Sequence, residues 1–243
     1  MSGEPNLKVF DTSDQLAIAA AELFVACASD SQRESNRFCV ALSGGKTPKQ
    51  VYELLATDDF RRRVNWGSVH LFFGDERAVP PDDPDSNFMM VDAALISKVP
   101  IPVENVHRMK GELEPEAAAS QYEAMLRSVF AGQSWPRFDL IFLGLGEDGH
   151  TASLFPGSEA MQEKVRWVAA TRNPETQQER ITLTLPVLNH AKHAAFLVVG
   201  RNKAQRLSDV LSDPQSHKLP AQAIRLESGK LEWLVDAEAA SLL

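Results

Sequence analysis

Residues 37–48 read RFCVALSGGKTP and hold the pattern that determines the fold: an apolar run, two glycines and the start of a predicted helix. Arg37–Leu42 is continuously apolar after its first residue, as is typical of a strand covered on both faces. Pro48 falls at the expected first helical position, and Thr47 with Gln50 has the spacing of a capping box. A strand that leads through a glycine turn into a helix is a building unit of α/β proteins.

The same alternation of apolar runs and helical stretches continues along the chain. Further strands are predicted at Val69–Phe73, Phe138–Leu143, Arg166–Ala170, Arg180–Leu185 and Ala194–Val199. Helices are predicted at Asp14–Ala28, Pro48–Ala56, Asn87–Leu95, Pro115–Phe130 and Lys203–Leu211. This order predicts a three-layer α/β/α sandwich with a mostly parallel central sheet. Without an internal repeat or a long linker, we expect one domain over residues 1–243.

Composition excludes several classes of function. The 243 residues include 33 acidic and 25 basic side chains, a formal net charge of -8, so nucleic acid and anionic membranes are not expected partners. No window approaches the ~20 apolar residues that span a bilayer, and the N-terminus lacks the pattern of a secretory signal. The two cysteines, Cys27 and Cys39, are too few for a disulfide framework. We expect a cytoplasmic monomer, with a weak homodimer as the alternative.

The first informative strand end is Ser43–Pro48. A glycine pair before a helix presents free backbone N–H groups and the positive end of the helix dipole, which favours phosphate binding. A nucleotide-binding P-loop is excluded because Val40 stands where that motif requires glycine. A tight turn that needs glycine only for its backbone dihedrals is the structural alternative.

The second strand end is Gly74-Asp75-Glu76-Arg77. A guanidinium placed beside a ligand can bind a carboxylate, a phosphate or an oxyanion through two hydrogen bonds, although this segment could also be a solvated charge cluster. Arg180 and Lys203 flank other predicted strand ends, as phosphate-binding cations or as ordinary surface charges.

The third strand end, Gly144–Ser153, reads GLGEDGHTAS. It contains G-x-G-x-x-G, but the next predicted strand is not followed by the acidic residue that binds a ribose, so a dinucleotide site is not favoured. His150 in such a loop is well placed as a general base, with a structural histidine as the alternative. No serine nucleophile motif is present, and His190 with His193 lacks a third zinc ligand in register.

Taken in order, these motifs resemble the 6-phosphogluconolactonase family. The matching blocks are LSGGKTP, FFGDERAVPPDDPDSN, LGLGEDGHTASLFPGS, ERITLTLPVLN, GRNKAQRL and a tail from LPAQAIRL onward, which together span nearly the whole chain. The resemblance implies hydrolysis of 6-phospho-D-glucono-1,5-lactone in the oxidative pentose phosphate pathway. It also implies no cofactor and a fold similar to glucosamine-6-phosphate deaminase and ribose-5-phosphate isomerase.

Two alternative functions stay open at this point. Glucosamine-6-phosphate deaminases resemble the chain at two blocks, but they carry an acidic residue where this chain has Phe155. A sugar-phosphate-sensing domain of a transcription regulator would follow a basic helix-turn-helix. Residues 1–36 instead hold an Ala-rich predicted helix without Lys or Arg between Asp14 and Ala28.

The residues of the three strand ends, with Arg180 and Lys203, have the following expected roles. His150 is expected to take a proton from the attacking water, with Asp148 shaping the loop or orienting the imidazole and Asp75 orienting it across the strand ends. The expected substrate- and phosphate-binding residues are Ser43, Gly44, Gly45, Lys46, Arg77, Arg180 and Lys203. The expected partner is a small sugar-phosphate lactone, and no metal is expected.

Overall fold

The computed structural model describes residues 6–213 and 218–243. The strands are β1 (Asn6–Phe10), β2 (Phe38–Leu42), β3 (Val69–Phe73), β4 (Asp75–Arg77), β5 (Leu140–Leu143), β6 (Val168–Arg172), β7 (Glu179–Leu183), β8 (His193–Val198) and β9 (Lys230–Asp236). The α-helices are α1 (Ser13–Ser35), α2 (Lys46–Leu55), α3 (Asp58–Arg61), α4 (Asn87–Ala94), α5 (Pro115–Val129), α6 (Leu185–Asn189) and α7 (Ala204–Ser212).

The central sheet has six strands in the order β1-β9-β8-β5-β2-β3, and every neighbouring pair is parallel. Every residue of β2 is buried. Since successive side chains of a strand point to opposite faces, burial of all of them means that both faces are covered. The predicted α/β fold with a parallel central sheet is confirmed.

Two predicted strands lie outside this sheet. Arg166–Ala170 and Arg180–Leu185 correspond to β6 and β7, which form a separate antiparallel sheet with β4 in the order β4-β7-β6. Gly74 connects the two sheets, because its N–H donates to Leu42 of β2 (2.8 Å) and its carbonyl accepts from Leu183 of β7 (2.8 Å). The apolar pattern predicted these strands correctly but could not tell which partners they would pair with.

The pattern missed β1, β4 and β9. β1 is an edge strand with no fully buried residue, so it lacks the apolar signature of the other strands. It lies in the segment of residues 1–36 in which no strand was expected. β9, from the C-terminal part of the chain, lies between β1 and β8 and pairs with both.

Helix α2 begins earlier than predicted. Its N-cap is Gly45, with φ 108°, and no side chain caps it, so the expected Thr47–Gln50 capping box is wrong. Glycine adopts this positive φ without the steric cost that other residues carry, which allows the helix to begin directly after the turn. The Gln50 amide instead donates to Asp14 of α1 (2.5 Å). The first-turn N–H groups of α2 are therefore left for another partner.

The strands of the central sheet end at one common edge. β8, β5, β2 and β3 are consecutive neighbours, so the segments that follow them are brought together there. Among the described residues, no helix combines the length and apolar character needed to cross a membrane.

Candidate active site

A cleft of ≈ 780 Å³ opens at the carboxyl edge of the parallel sheet. All the residues that were expected to act in catalysis or binding line it: Ser43, Gly44, Gly45, Lys46, Asp75, Arg77, Asp148, His150, Arg180 and Lys203. They come from segments after β2, β3, β5 and β8 and from β4 and β7 of the small sheet. The fold thus brings together residues that are up to 160 positions apart (43 to 203) in the chain.

His150 and Asp148 form a hydrogen-bonded pair in this cleft. Nδ1 of His150 lies 2.5 Å from Oδ1 of Asp148, and the backbone N–H of His150 donates to the same oxygen (3.0 Å). A carboxylate only accepts, so Nδ1 carries the proton and Nε2 of a neutral imidazole keeps its lone pair. Burial acts to raise the pKa of Asp148, but the hydrogen bonds from His150 outweigh it and hold the pKa below its ordinary value. The pair therefore presents a basic nitrogen with a fixed tautomer.

The glycines of the loop make this pairing possible. A Cβ on Gly146 would lie 2.1 Å from Nδ1 of His150 and 2.6 Å from Oδ1 of Asp148, so any larger residue would displace the pair. Gly149 has φ +87°, a conformation that favours glycine. On its other side, the His150 ring packs against the buried ring of Phe155, with the centroids 4.9 Å apart.

Asp75 does not contact His150, contrary to the expectation that it orients the imidazole. Its carboxylate accepts from the Ser153 hydroxyl (2.7 Å) and from the Asn87 amide (3.3 Å). Those two neighbours satisfy the nearly buried carboxylate, and the orienting contact to the ring comes from Asp148. Asp75 still lines the cleft, where it fixes Ser153 and Asn87.

Arg77 and Arg180 are paired directly across β4 and β7. Like charges placed opposite each other in a sheet repel, and the carboxylates of Asp75, Glu76 and Asp85 act against this repulsion at Arg180. Burial, and then the neighbouring Arg77, lower the pKa of Arg180. Within the described part of the chain, Nε of each arginine is buried without a hydrogen-bond partner. Because buried donors are normally hydrogen-bonded, these N–H groups indicate a ligand, and two guanidinium groups can bind a phosphate through charge-assisted hydrogen bonds.

The loop after β2 lines the same cleft as the two arginines. The buried Tyr52 hydroxyl donates to the Ser43 carbonyl (2.9 Å) and accepts from the Ser43 N–H (3.1 Å), which fixes the backbone at that point. The Ser43 hydroxyl is buried and makes no hydrogen bond to any described residue. Together with the uncapped N-terminus of α2, it offers further donors to an anion.

Lys203 approaches the glycine-rich loop from the segment after β8. Its Nζ lies 3.8 Å from Oε1 of Glu147, and the Asn202 amide donates to the same oxygen (2.6 Å). Arg206 donates to the Glu147 carbonyl (2.8 Å), so the start of α7 braces the loop that carries His150. Lys46 is exposed as the first residue of α2.

Sequence reasoning missed several residues that shape the cleft. Tyr52, Asn87 and Ser153 hold Ser43 and Asp75, yet none of them stands in a pattern that predicts such a role. Their only signal was membership in, or closeness to, the family blocks quoted above. Among the described residues, no three His, Cys, Asp or Glu side chains are grouped so that they could hold a metal ion.

Comparison with known proteins places this chain in a family. The family described as Glucosamine-6-phosphate isomerases/6-phosphogluconolactonase matches residues 11–233. The chain belongs to this family. A 6-phosphogluconolactonase from Nostoc sp. is 38% identical over 237 residues, which cover 95% of this chain and 95% of the relative.

Solved structures agree with this placement. The chain is similar to the 6-phosphogluconolactonase from Trypanosoma cruzi, with a TM-score of 0.89, 30% identity, and coverage of 100% of this chain and 98% of the other. A monomeric glucosamine-6-phosphate deaminase shares the fold at a TM-score of 0.82 and 22% identity, covering 98% of this chain and 100% of the deaminase. The expected likeness in fold to that deaminase is confirmed.

Proposed function

We propose that this protein is a 6-phosphogluconolactonase, which hydrolyses 6-phospho-D-glucono-1,5-lactone to 6-phospho-D-gluconate. The observation that carries the proposal is that the Asp148–His150 pair and the Arg77–Arg180 pair open into one cleft. One pair supplies a base and the other an anion site, as a phosphorylated lactone requires. The identity of the relatives, named 6-phosphogluconolactonases, supports the same conclusion.

In the proposed mechanism, Nε2 of His150 takes a proton from water as its oxygen attacks the lactone carbonyl. The new C–O bond gives a tetrahedral oxyanion, which collapses as the bond from the carbonyl carbon to the ring oxygen breaks. The departing ring oxygen receives a proton and becomes the free hydroxyl of the product, and the carboxylic acid then ionises. Asp148 stabilises the imidazolium that forms between these steps.

The substrate's phosphate is proposed to lie between the loop after β2 and the small sheet. Ser43, Gly44 and Gly45 offer a hydroxyl and backbone donors, and Arg77 with Arg180 neutralises the dianion. Lys46 and Lys203 add positive charge at the rim of the cleft. Binding at the phosphate would position the lactone carbonyl for His150.

The structure argues against the deaminase alternative at one position. The residue five places after His150 is Phe155, a buried ring packed on the imidazole, where the deaminases are expected to carry a carboxylate. A lactonase needs no carboxylate there, since the reaction transfers no proton between sugar carbons. The sensing-domain alternative gains no specific support, and a cytoplasmic monomer stays a prediction.

The decisive experiment measures acid release from freshly generated 6-phosphogluconolactone at several enzyme concentrations, because δ-lactones also open unaided. We expect a rate proportional to enzyme concentration, and no ammonia release from glucosamine 6-phosphate as the control substrate. Turnover of the amino sugar without turnover of the lactone would refute the proposal.

A further inference from the structure

Glu76 is a buried carboxylate that the proposed mechanism leaves unused. It lies between Asp75 and Arg77 on β4, it is 2% exposed, and it does not line the cleft. Because side chains alternate along a strand, Glu76 points away from the face that carries its two neighbours. A buried charge is costly unless it is fully hydrogen-bonded, so its partners indicate what it does.

Both oxygens of Glu76 bind one short segment of the chain. Oε1 accepts from the backbone N–H of Asn87 (2.7 Å) and of Arg77 (2.8 Å). Oε2 accepts from the backbone N–H of Phe88 (2.8 Å) and from the hydroxyl of Ser86 (3.1 Å). The carboxylate therefore fixes residues 86–88, the start of α4, against β4.

Two groups of the phosphate site depend on where this segment lies. The Asp85 carbonyl, directly before the segment, accepts from Nη1 of Arg77 (2.6 Å). The Asn87 amide donates to the Asp75 carbonyl (2.9 Å), and its oxygen approaches the chain so closely that a Cβ on Gly44 would lie 1.8 Å from it. Glu76 thus connects the Arg77 guanidinium on one side of the site with the glycine loop on the other.

We propose that Glu76 is a positioning residue for the phosphate site: by binding residues 86–88, it sets the Asp85 carbonyl that orients Arg77 and the Asn87 side chain that packs on Gly44. The inference rests on the proposed function. Since the phosphate does not itself react, its contacts are made in the ground state and in the transition state alike, so a disordered phosphate site should act mainly on KM, with a smaller loss of kcat from poorer positioning of the carbonyl.

The test compares Glu76→Gln with the wild type on the phosphorylated lactone and on unphosphorylated gluconolactone. Gln keeps the shape but replaces one accepting oxygen by a donor, which then faces N–H groups. We expect KM for the phosphorylated lactone to rise by about tenfold or more, with kcat within about threefold of the wild type, because hydrogen bonds to charged groups are the strong ones. For gluconolactone, kcat/KM should change far less.

Glu232→Gln is the matched control. Glu232 is fully buried on β9 and pairs with Lys8 and His193, outside the cleft lining. The Glu232→Gln variant should have a lower free energy of unfolding but an unchanged KM for the phosphorylated lactone. Should Glu76→Gln fail to fold, Ser86→Ala removes one of the four donors and should raise KM in the same direction but less. Its control, Thr12→Ala, deletes the equivalent N-cap contact on α1 and should not.

Three results would overturn the inference with an active wild type: an unchanged KM, a loss confined to kcat, or equal losses on both lactones. If only Ser86→Ala can be measured, an unchanged KM in that variant overturns it. A wild type that does not hydrolyse the phosphorylated lactone would overturn the proposed function and the inference together.

Discussion

Replacing Asp148 by Asn tests whether this carboxylate acts only through His150. Asn keeps the size of the side chain and can still accept from Nδ1, but it removes the negative charge 2.5 Å from the ring. That charge stabilises the imidazolium formed when His150 takes a proton. A hydrogen bond to a charged group is worth ~1.5–3 kcal/mol, so kcat should fall by roughly 10- to 100-fold. His150→Asn removes the base itself and should lower kcat by ~10²–10⁴.

A variant that combines Asp148→Asn with His150→Asn shows whether the two residues act together or independently. If Asp148 acts through the imidazole alone, Asp148→Asn adds nothing once His150 is replaced, and the double variant should be as slow as His150→Asn. The assay is initial acid release from fresh lactone at saturating concentration, with the unaided rate subtracted. Asp58→Asn, which removes a surface carboxylate on α3, serves as the control that keeps wild-type kcat. A double variant slowed by the product of both single effects, or Asp148→Asn with kcat within about twofold of the wild type, would refute the reasoning.

Four further predictions follow from particular contacts. Gly146→Ala would place an atom 2.1 Å from the imidazole and should lower kcat at least as much as Asp148→Asn. Gly144→Ala is the control: an added Cβ on Gly144 meets nothing within 4 Å, so the kcat of this variant should be close to that of the wild type in the same assay. Arg77→Ala and Arg180→Ala should each raise KM for the phosphorylated lactone by ~10-fold or more and leave gluconolactone kinetics nearly unchanged; equal losses on both substrates would assign the arginines to the carbonyl or the fold. Burial lowers the pKa of His107 to about 4, so as the pH falls this side chain becomes protonated in the unfolded chain before it does in the folded one. The free energy of unfolding should therefore fall by on the order of 2 kcal/mol as the pH drops from ~6.5 to ~4. Urea midpoints measured over this range should fall less in the His107→Gln variant than in the wild type. Prolonged EDTA treatment should leave lactonase activity intact, and a loss restored by Zn²⁺ or Mg²⁺ would contradict the metal-free mechanism.

Four strands of the central sheet were predictable because their burial leaves mostly apolar runs, whereas β9 was missed although five of its residues are buried, among them the charged Glu232. β2 and β5 are wholly apolar, β3 and β8 each contain one histidine, and the chemistry after each of these strands could be located at one edge of the sheet. β1 could not be found this way, because an edge strand with exposed residues has no such signal. β6 and β7 were recognised as strands, but their antiparallel pairing with β4 depends on contacts between distant segments that local patterns do not encode.

In the site, too, residues in local motifs could be predicted, and contacts that depend on the folded geometry could not. His150 and Arg77 were found because each stands in a local motif that follows a strand. Asp148 and Asp75 were both expected as neighbours that could orient the imidazole, and only the folded loop shows that the hydrogen bond to the ring comes from Asp148 while Asp75 binds Ser153. The contact between Tyr52 and Ser43 likewise needs the geometry of the β2–α2 turn.

The small antiparallel sheet brings Arg77 and Arg180 together, and the proposed phosphate binding depends on this pairing. A phosphate bound only at the N-terminus of α2 would meet backbone donors and partial charge, which in an acidic protein is weak attraction for a dianion. β4 continues from β3 through Gly74, and β7 pairs with it so that two guanidinium groups stand directly opposite each other. Burial and Arg77 disfavour the charged form of Arg180, and Asp75, Glu76 and Asp85 offset part of this effect. In the proposed function, a bound phosphate would offset more of it. In the proposed function, the two guanidinium groups would therefore contribute binding free energy to a phosphorylated lactone, and an unphosphorylated lactone would lack this contribution.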